Sequence, residues 1–219
     1  MSLVSQLPES QRQIVRTAAQ SLVDGAKGLP LSMKESFDSN DYAWPLGDTT
    51  YAGGVTCSLS LMDGRYRMSM TSVDGPAFCQ SGPPRSIQSF VLSLDMSLSS
   101  GRNADVFVYY RSDATVQNYY YVSVSPQTQT LALGAVVAGV ASPIVPAAFV
   151  PEIKATGVNT PSVIVLGSSQ AVFVNGQLVA LITDEGRLPA AGKILVAMRL
   201  NEAHAQEQLI VDNVDLRGS

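Results

Sequence analysis

Charge is what this sequence has least of. Charged residues fill 15 % of its 219 positions, against roughly 25 % in an average soluble domain, so the surface must be built mostly from neutral polar side chains. Lysine and arginine number 14 against 18 acidic residues, for a net charge of −4. The basic residues form no cluster, which excludes a phosphate-tracking nucleic-acid surface and argues against attraction to anionic membranes. Histidine occurs once, at His204, and cysteine twice, at Cys57 and Cys79. So few imidazoles and thiols, at that spacing, do not make a zinc site.

A long uninterrupted apolar run is missing too. Leu131 to Val150 comes nearest, but Gly134, Gly139, Pro143 and Pro146 break it and Pro151 closes it. A lipid-exposed helix so interrupted would leave backbone groups unpaired in hydrocarbon, so no direct membrane insertion is expected and the stretch reads as a strand followed by an apolar loop. Residues 1–28 lack the basic start and continuous apolar centre of an export signal. The neutral, serine-rich composition and even cysteine count nevertheless point to an extracytoplasmic setting, secreted or cell-surface, with any tether supplied upstream. Cys57 and Cys79 flank a predicted strand and turn and are a candidate disulfide, with two reduced core thiols as the alternative.

What is present falls into two textures. From Pro8 and Glu9 onward, Ile14, Val15, Ala18, Ala19, Leu22 and Val23 recur at three- and four-residue spacing until Gly25 and Gly28, which predicts one amphipathic helix. This helical arm, residues 1–33, either packs on the following domain or continues a stalk. Residues 34–219 alternate with period two and carry turn residues every eight to twelve positions, the pattern of a many-stranded antiparallel sandwich. Ala171-Val-Phe-Val-Asn175-Gly176-Gln-Leu-Val-Ala180 predicts a hairpin, because Asn-Gly tolerates the positive φ of a type I′ turn. In the run Val106 to Arg111, alternation puts Phe107, Tyr109 and Arg111 on one face.

In order, the pieces resemble the concanavalin A-like lectin/glucanase superfamily, especially its laminin G-like and glycoside-hydrolase-16-like bacterial surface modules. The likeness covers Glu35 to Gly218. Phe37-Asp38-Ser39-Asn40 with Trp44 looks like the opening strand, and Ser89 to Met96 like the long strand after the first hairpin. Asp105 to Arg111 and Asn118 to Val122 resemble the following pair, and Leu209 to Val214 the closing strand. The resemblance implies a jelly roll of two antiparallel sheets. It also implies a structural calcium where first and last strands meet, with Asp212 and Asp38 as the matching carboxylates.

Fold does not confer activity. The glucanases of this superfamily carry Glu-x-Asp-x-x-Glu, which sets two carboxylates close enough for retaining cleavage. This chain departs from that pattern: around Ser93 to Ser100 it offers only Asp95. The acidic pair Asp184-Glu185 falls in a predicted turn, and His204 in a polar connection. No Gly-x-Ser-x-Gly elbow or phosphate loop is present. A non-catalytic binding or sensory module is therefore expected, recognising carbohydrate or a surface protein through its concave sheet. A glycosidase with unrecognised carboxylates and a structural spacer are the alternatives. Flat aromatic faces with amide, hydroxyl and guanidinium partners suit sugar rings. The candidate binding residues are Tyr109, Arg111, Tyr119 and Tyr121, with Arg199 and Asn201 as neighbours. Trp44 is either a further platform or a buried anchor of the first strand.

Overall fold

The computed structural model describes residues 3–100, 104–183, 186, 188 and 190–219. A short 3-10 turn at Val4–Gln6 leads into helix α1 (Glu9–Ala26). The strands that follow are β1 (Leu31–Glu35), β2 (Gly47–Thr50), β3 (Thr56–Leu61), β4 (Tyr66–Thr71), β5 (Ala77–Ser81), β6 (Ser86–Ile87), β7 (Phe90–Leu98) and β8 (Ala104–Ser112). They continue as β9 (Tyr119–Ser125), β10 (Thr130–Val137), β11 (Val140–Phe149), β12 (Pro161–Leu166), β13 (Ser169–Val174), β14 (Gln177–Thr183), β15 (Gly192–Leu200) and β16 (Gln206–Gly218).

Two antiparallel sheets result. A nine-stranded sheet runs β14-β13-β12-β7-β16-β4-β3-β2, with β1 added against β16. A seven-stranded sheet runs β11-β10-β9-β8-β15-β5, with β6 added against β15. The alternation in the sequence explains why they stack. In β7, Phe90, Leu92, Leu94 and Met96 are buried while the residues between them stay half-exposed. From the opposite sheet, Tyr120, Val122 and Val124 of β9 enter the same core. Full burial of one such side chain contributes about 1.5–3 kcal/mol. At the β13–β14 turn, Asn175 and Gly176 take φ of 51° and 80°, the conformation that the Asn-Gly pair is suited to.

Cys57 of β3 and Cys79 of β5 form a disulfide, with Cα atoms 6.2 Å apart. It links the nine-stranded sheet to the seven-stranded one. Beside the core, Trp44 is buried between Phe37 and Tyr66, with ring centroids 5.2 and 4.9 Å away. Trp44 is thus an anchor inside the sandwich and not a binding platform. The Tyr66 hydroxyl donates to the Pro45 carbonyl at 2.7 Å, and burial pushes its pKa up to about 12 against a smaller lowering by Ser81.

Four local readings need correcting. Residues 37–44 make bends and turns, not an opening strand; the first strand is β1, which pairs with β16. A domain boundary at Met33 therefore falls inside that strand. The apolar segment after β10 is not a loop: β11 pairs with β10 along the sheet edge through a tight turn at Ala138-Gly139, both at positive φ. Pro143 and Pro146 are tolerated there because an edge strand has one side without a partner. Finally, α1 lies on the nine-stranded sheet through Ala19, Leu22, Val23 and Ala26, against Ile164, Ala171 and Phe173. Ile14, expected on that stripe, is 69 % exposed.

Candidate functional site

β8 is buried at every position. Its core-facing residues Val106, Val108 and Tyr110 explain half of that. The other half comes from a second apolar cluster on the outer face of the seven-stranded sheet, centred on Phe107, Tyr109, Leu195 and Ala197. Cross-strand register arranges this face in rows. Phe78 pairs with Arg199 and Arg199 with Asp105. The next row runs Ala197, Phe107, Ser123 and Ala132, and the third Leu195, Tyr109, Tyr121 and Gly134. Tyr119 and Val136 close the series.

These rows line a cleft of about 370 Å³, walled on the far side by Ala141 and Ala147 of β11. Aromatic rings form its floor and one wall. Tyr109 and Tyr119 have centroids 4.3 Å apart, and Phe78 stacks on Tyr109 at 6.0 Å with planes within 8°. Tyr121 meets Phe107 edge-on at 6.2 Å. The Tyr121 ring occupies space that exists only because residue 134 is glycine: a Cβ there would lie 2.6 Å from Tyr121 Cε1.

The polar groups gather at one end. Asp105 accepts from Ser125 Oγ at one carboxylate oxygen, and from Arg199 Nη2 and Asn201 Nδ2 at the other. Arg199 also lies over the Phe107 ring, 5.6 Å from its centroid, a cation–π arrangement. Ser123 and Thr130 supply hydroxyls on the same side. Burial raises the pKa of Tyr109, and the neighbouring Tyr119 phenol adds to the shift. Burial likewise raises Tyr119 and Tyr121. All three phenols are therefore neutral donors and acceptors over the physiological range.

Among the candidates from sequence, Tyr109, Tyr119, Tyr121 and Arg199 share this cleft, with Asn201 bonded to Asp105 at its polar end. Tyr109 is 3 % exposed and forms the floor, so the surface offered to a ligand belongs to Phe78, Tyr119 and Tyr121. Arg111 is elsewhere. The pairing of β8 with β15 shifts register between Lys193 and Leu195, and Arg111 takes φ of 52°, which is how a β-bulge re-aims a side chain. Its guanidinium is buried and donates to the Gly167 carbonyl at 2.7 Å, joining one sheet to the other. Phe78, Asp105, Ser123 and Ser125 escaped the sequence reading. The signal for Gly134 was present, since a lone glycine inside a strand marks close approach of another group.

The remaining candidates stand apart. Asp95 lies on β7 in the other sheet, where it accepts from Thr160 and Asn213. Asp184 and Glu185 lie outside the described residues, and His204 is exposed in a turn. Asp212 has Arg65 Nε 3.7 Å from one oxygen and the Asn213 amide on the other. Asp38 accepts from Ser36 Oγ at 2.8 Å. With a guanidinium beside Asp212, this pair does not fit a calcium ion, which requires six or more oxygen ligands. No group of three or more His, Cys, Asp and Glu side chains suited to a metal occurs among the described residues. Nor is any helix among them long and apolar enough to cross a membrane. A second depression, about 400 Å³, lies under α1, but its Arg12 and Arg16 are paired with Glu9 at 3.3 and 3.4 Å.

No protein-family model and no curated protein sequence matches the chain. Solved structures do. The carbohydrate binding module CBM66 from Bacillus subtilis superposes with a TM-score of 0.57 at 18 % identity, covering 80 % of this chain and 100 % of that one. The Bacillus licheniformis beta-glucanase gives 0.64 at 13 % identity, covering 85 % and 98 %. The laminarinase catalytic domain from Thermotoga maritima gives 0.61 at 9 % identity, covering 88 % and 99 %. The protein thus has the concanavalin A-like jelly-roll fold that this binding module and these glucanases share.

Proposed function

We propose that the protein is a non-catalytic, extracytoplasmic carbohydrate-binding module whose cleft on the seven-stranded sheet holds the sugar. The observation that carries this reading is the aromatic bed of Phe78, Tyr119 and Tyr121 over Tyr109, with Asp105, Arg199, Ser123, Ser125 and Thr130 gathered at one end. Sugar rings present apolar C–H faces and equatorial hydroxyls, and such a surface answers both. Most glycosidases cleave with a pair of carboxylates roughly 5–9.5 Å apart. Among the described lining residues Asp105 is the one carboxylate, and both its oxygens are engaged by Ser125, Arg199 and Asn201. Its role is to hold Arg199 and Ser125 in place for the ligand. The cross-sheet disulfide supports an oxidising compartment.

The test is a glycan array run beside a reducing-end release assay. Binding without release is expected, and Tyr121→Ala together with Arg199→Ala should weaken it by about tenfold or more. Sugar release that disappears in Asp105→Asn would overturn the reading in favour of a glycosidase.

A further inference from the structure

The two ends of the cleft differ in chemistry. At one end stand Asp105, Arg199, Ser123, Ser125 and Thr130. At the other, the side chains that β10 and β11 present beyond Thr130 are aliphatic, Ala132, Val136, Ala141 and Ala147, while Tyr121 covers Gly134. These are not core residues displaced outward. Ala141 and Ala147 are exposed, and the core-facing side of β10 is supplied separately by Leu131, Leu133 and Ala135. A hexose lying on the aromatic floor with its hydroxyls at the polar end would turn its opposite edge toward this wall. A hydroxyl turned to that wall would lose its water and find no side-chain partner on β10 or β11, a cost of the unsatisfied-group kind. A methyl group there loses nothing and gains contact.

Charge narrows the ligand further. Among the described lining residues the only charges are Arg199 and Asp105, and they are paired with each other. The cleft therefore carries no net charge to attract an acidic or a basic sugar.

We infer that the cleft selects neutral sugars bearing a methyl group on the edge opposite their hydrogen-bonding hydroxyls. This rests on the reading of the cleft as a sugar site. The methyl comes from one of two sources, the C6 of a 6-deoxyhexose or the acetyl of an N-acetylhexosamine.

The experiment is an NMR titration of the full chain with matched probes. D-Glucose is compared with 6-deoxy-D-glucose, D-galactose with D-fucose, and D-mannose with D-rhamnose; N-acetylglucosamine forms the acetyl arm and glucuronate the charged control. At least one methyl-bearing sugar should bind about fourfold tighter than its parent, the effect of burying one methyl. Whichever arm shows the gain identifies the source. Ala141→Ser and Val136→Thr should bring the ratio toward one, by giving the parent sugar's hydroxyl a partner and taking contact from the methyl. Arg199→Ala should weaken both members of a pair alike. Because Ala141 is exposed, its variant keeps the test valid even if Val136→Thr folds poorly.

Parent hexoses binding as tightly as their methyl partners would overturn this inference while leaving the sugar site standing. A ratio insensitive to Ala141→Ser and Val136→Thr, or glucuronate binding tightest, would do the same. No binding to any sugar, free or arrayed, would remove the sugar site itself.

Discussion

The ring of Tyr121 on β9 lies over Gly134 on β10, its cross-strand partner, in the space where any other residue would carry a Cβ. The cleft owes its depth to that contact. A side chain at 134 would lift the ring from the floor and into the space a ligand needs.

Gly134→Ala should accordingly cost affinity more than stability. Gly134 is not among the glycines at positive φ, so alanine is compatible with the strand backbone. Ring displacement should weaken glycan binding by about tenfold, with the far-ultraviolet circular dichroism unchanged. Unchanged affinity, measured by calorimetry, would show that Tyr121 does not shape the site.

The disulfide should carry a measurable share of stability. Cys57 and Cys79 close a loop with a sequence separation of 22, for which chain entropy predicts about 3 kcal/mol. Urea unfolding of the Cys57→Ala/Cys79→Ala double variant checks this. Trp44, the only tryptophan, is a ready reporter because it is buried against Phe37 and Tyr66.

Acid should loosen the β8–β9 turn before it unfolds the sandwich. Asp113 accepts from the Asn118 side chain, the Gln117 amide and both the amide and hydroxyl of Thr115. The Asn118 bond, followed by the others, brings its pKa down to about 2 from an ordinary 3.8, against a smaller burial effect. A carboxylate whose folded pKa is depressed adds stability that is complete above the ordinary value and is lost as pH falls through the folded one. The Thr115 and Gln117 amide resonances should therefore titrate with a midpoint near 2. Asp113→Asn should abolish that step. The turn leads directly into Tyr119, so ligand affinity should fall over the same interval.

The sandwich was legible because its strands alternate cleanly, as in β7, where four inward apolar residues sit between half-exposed ones. The site was legible only in part. Tyr109, Tyr119 and Tyr121 stand out as aromatics in two long strands. Arg111 follows the same period, yet the bulge that turns it inward depends on how β15 pairs with β8, and one strand's pattern does not contain that information. Phe78 sits in a five-residue strand, too short to show a period. Asp105 looks like any solvated carboxylate until Arg199 and Ser125 arrive from other strands. Pro143 and Pro146 argued for a loop because proline disrupts central strands, whereas β11 is an edge.

Those two prolines bear on how the molecule behaves in a crowd. β11 is apolar and exposed, with Val140 at 71 % and Phe149 at 58 %, and an edge of that kind invites another chain to add a strand. Each proline deletes a backbone donor such a strand would need. The wall that favours a methyl group can thus remain greasy and uncovered without acting as a template for aggregation.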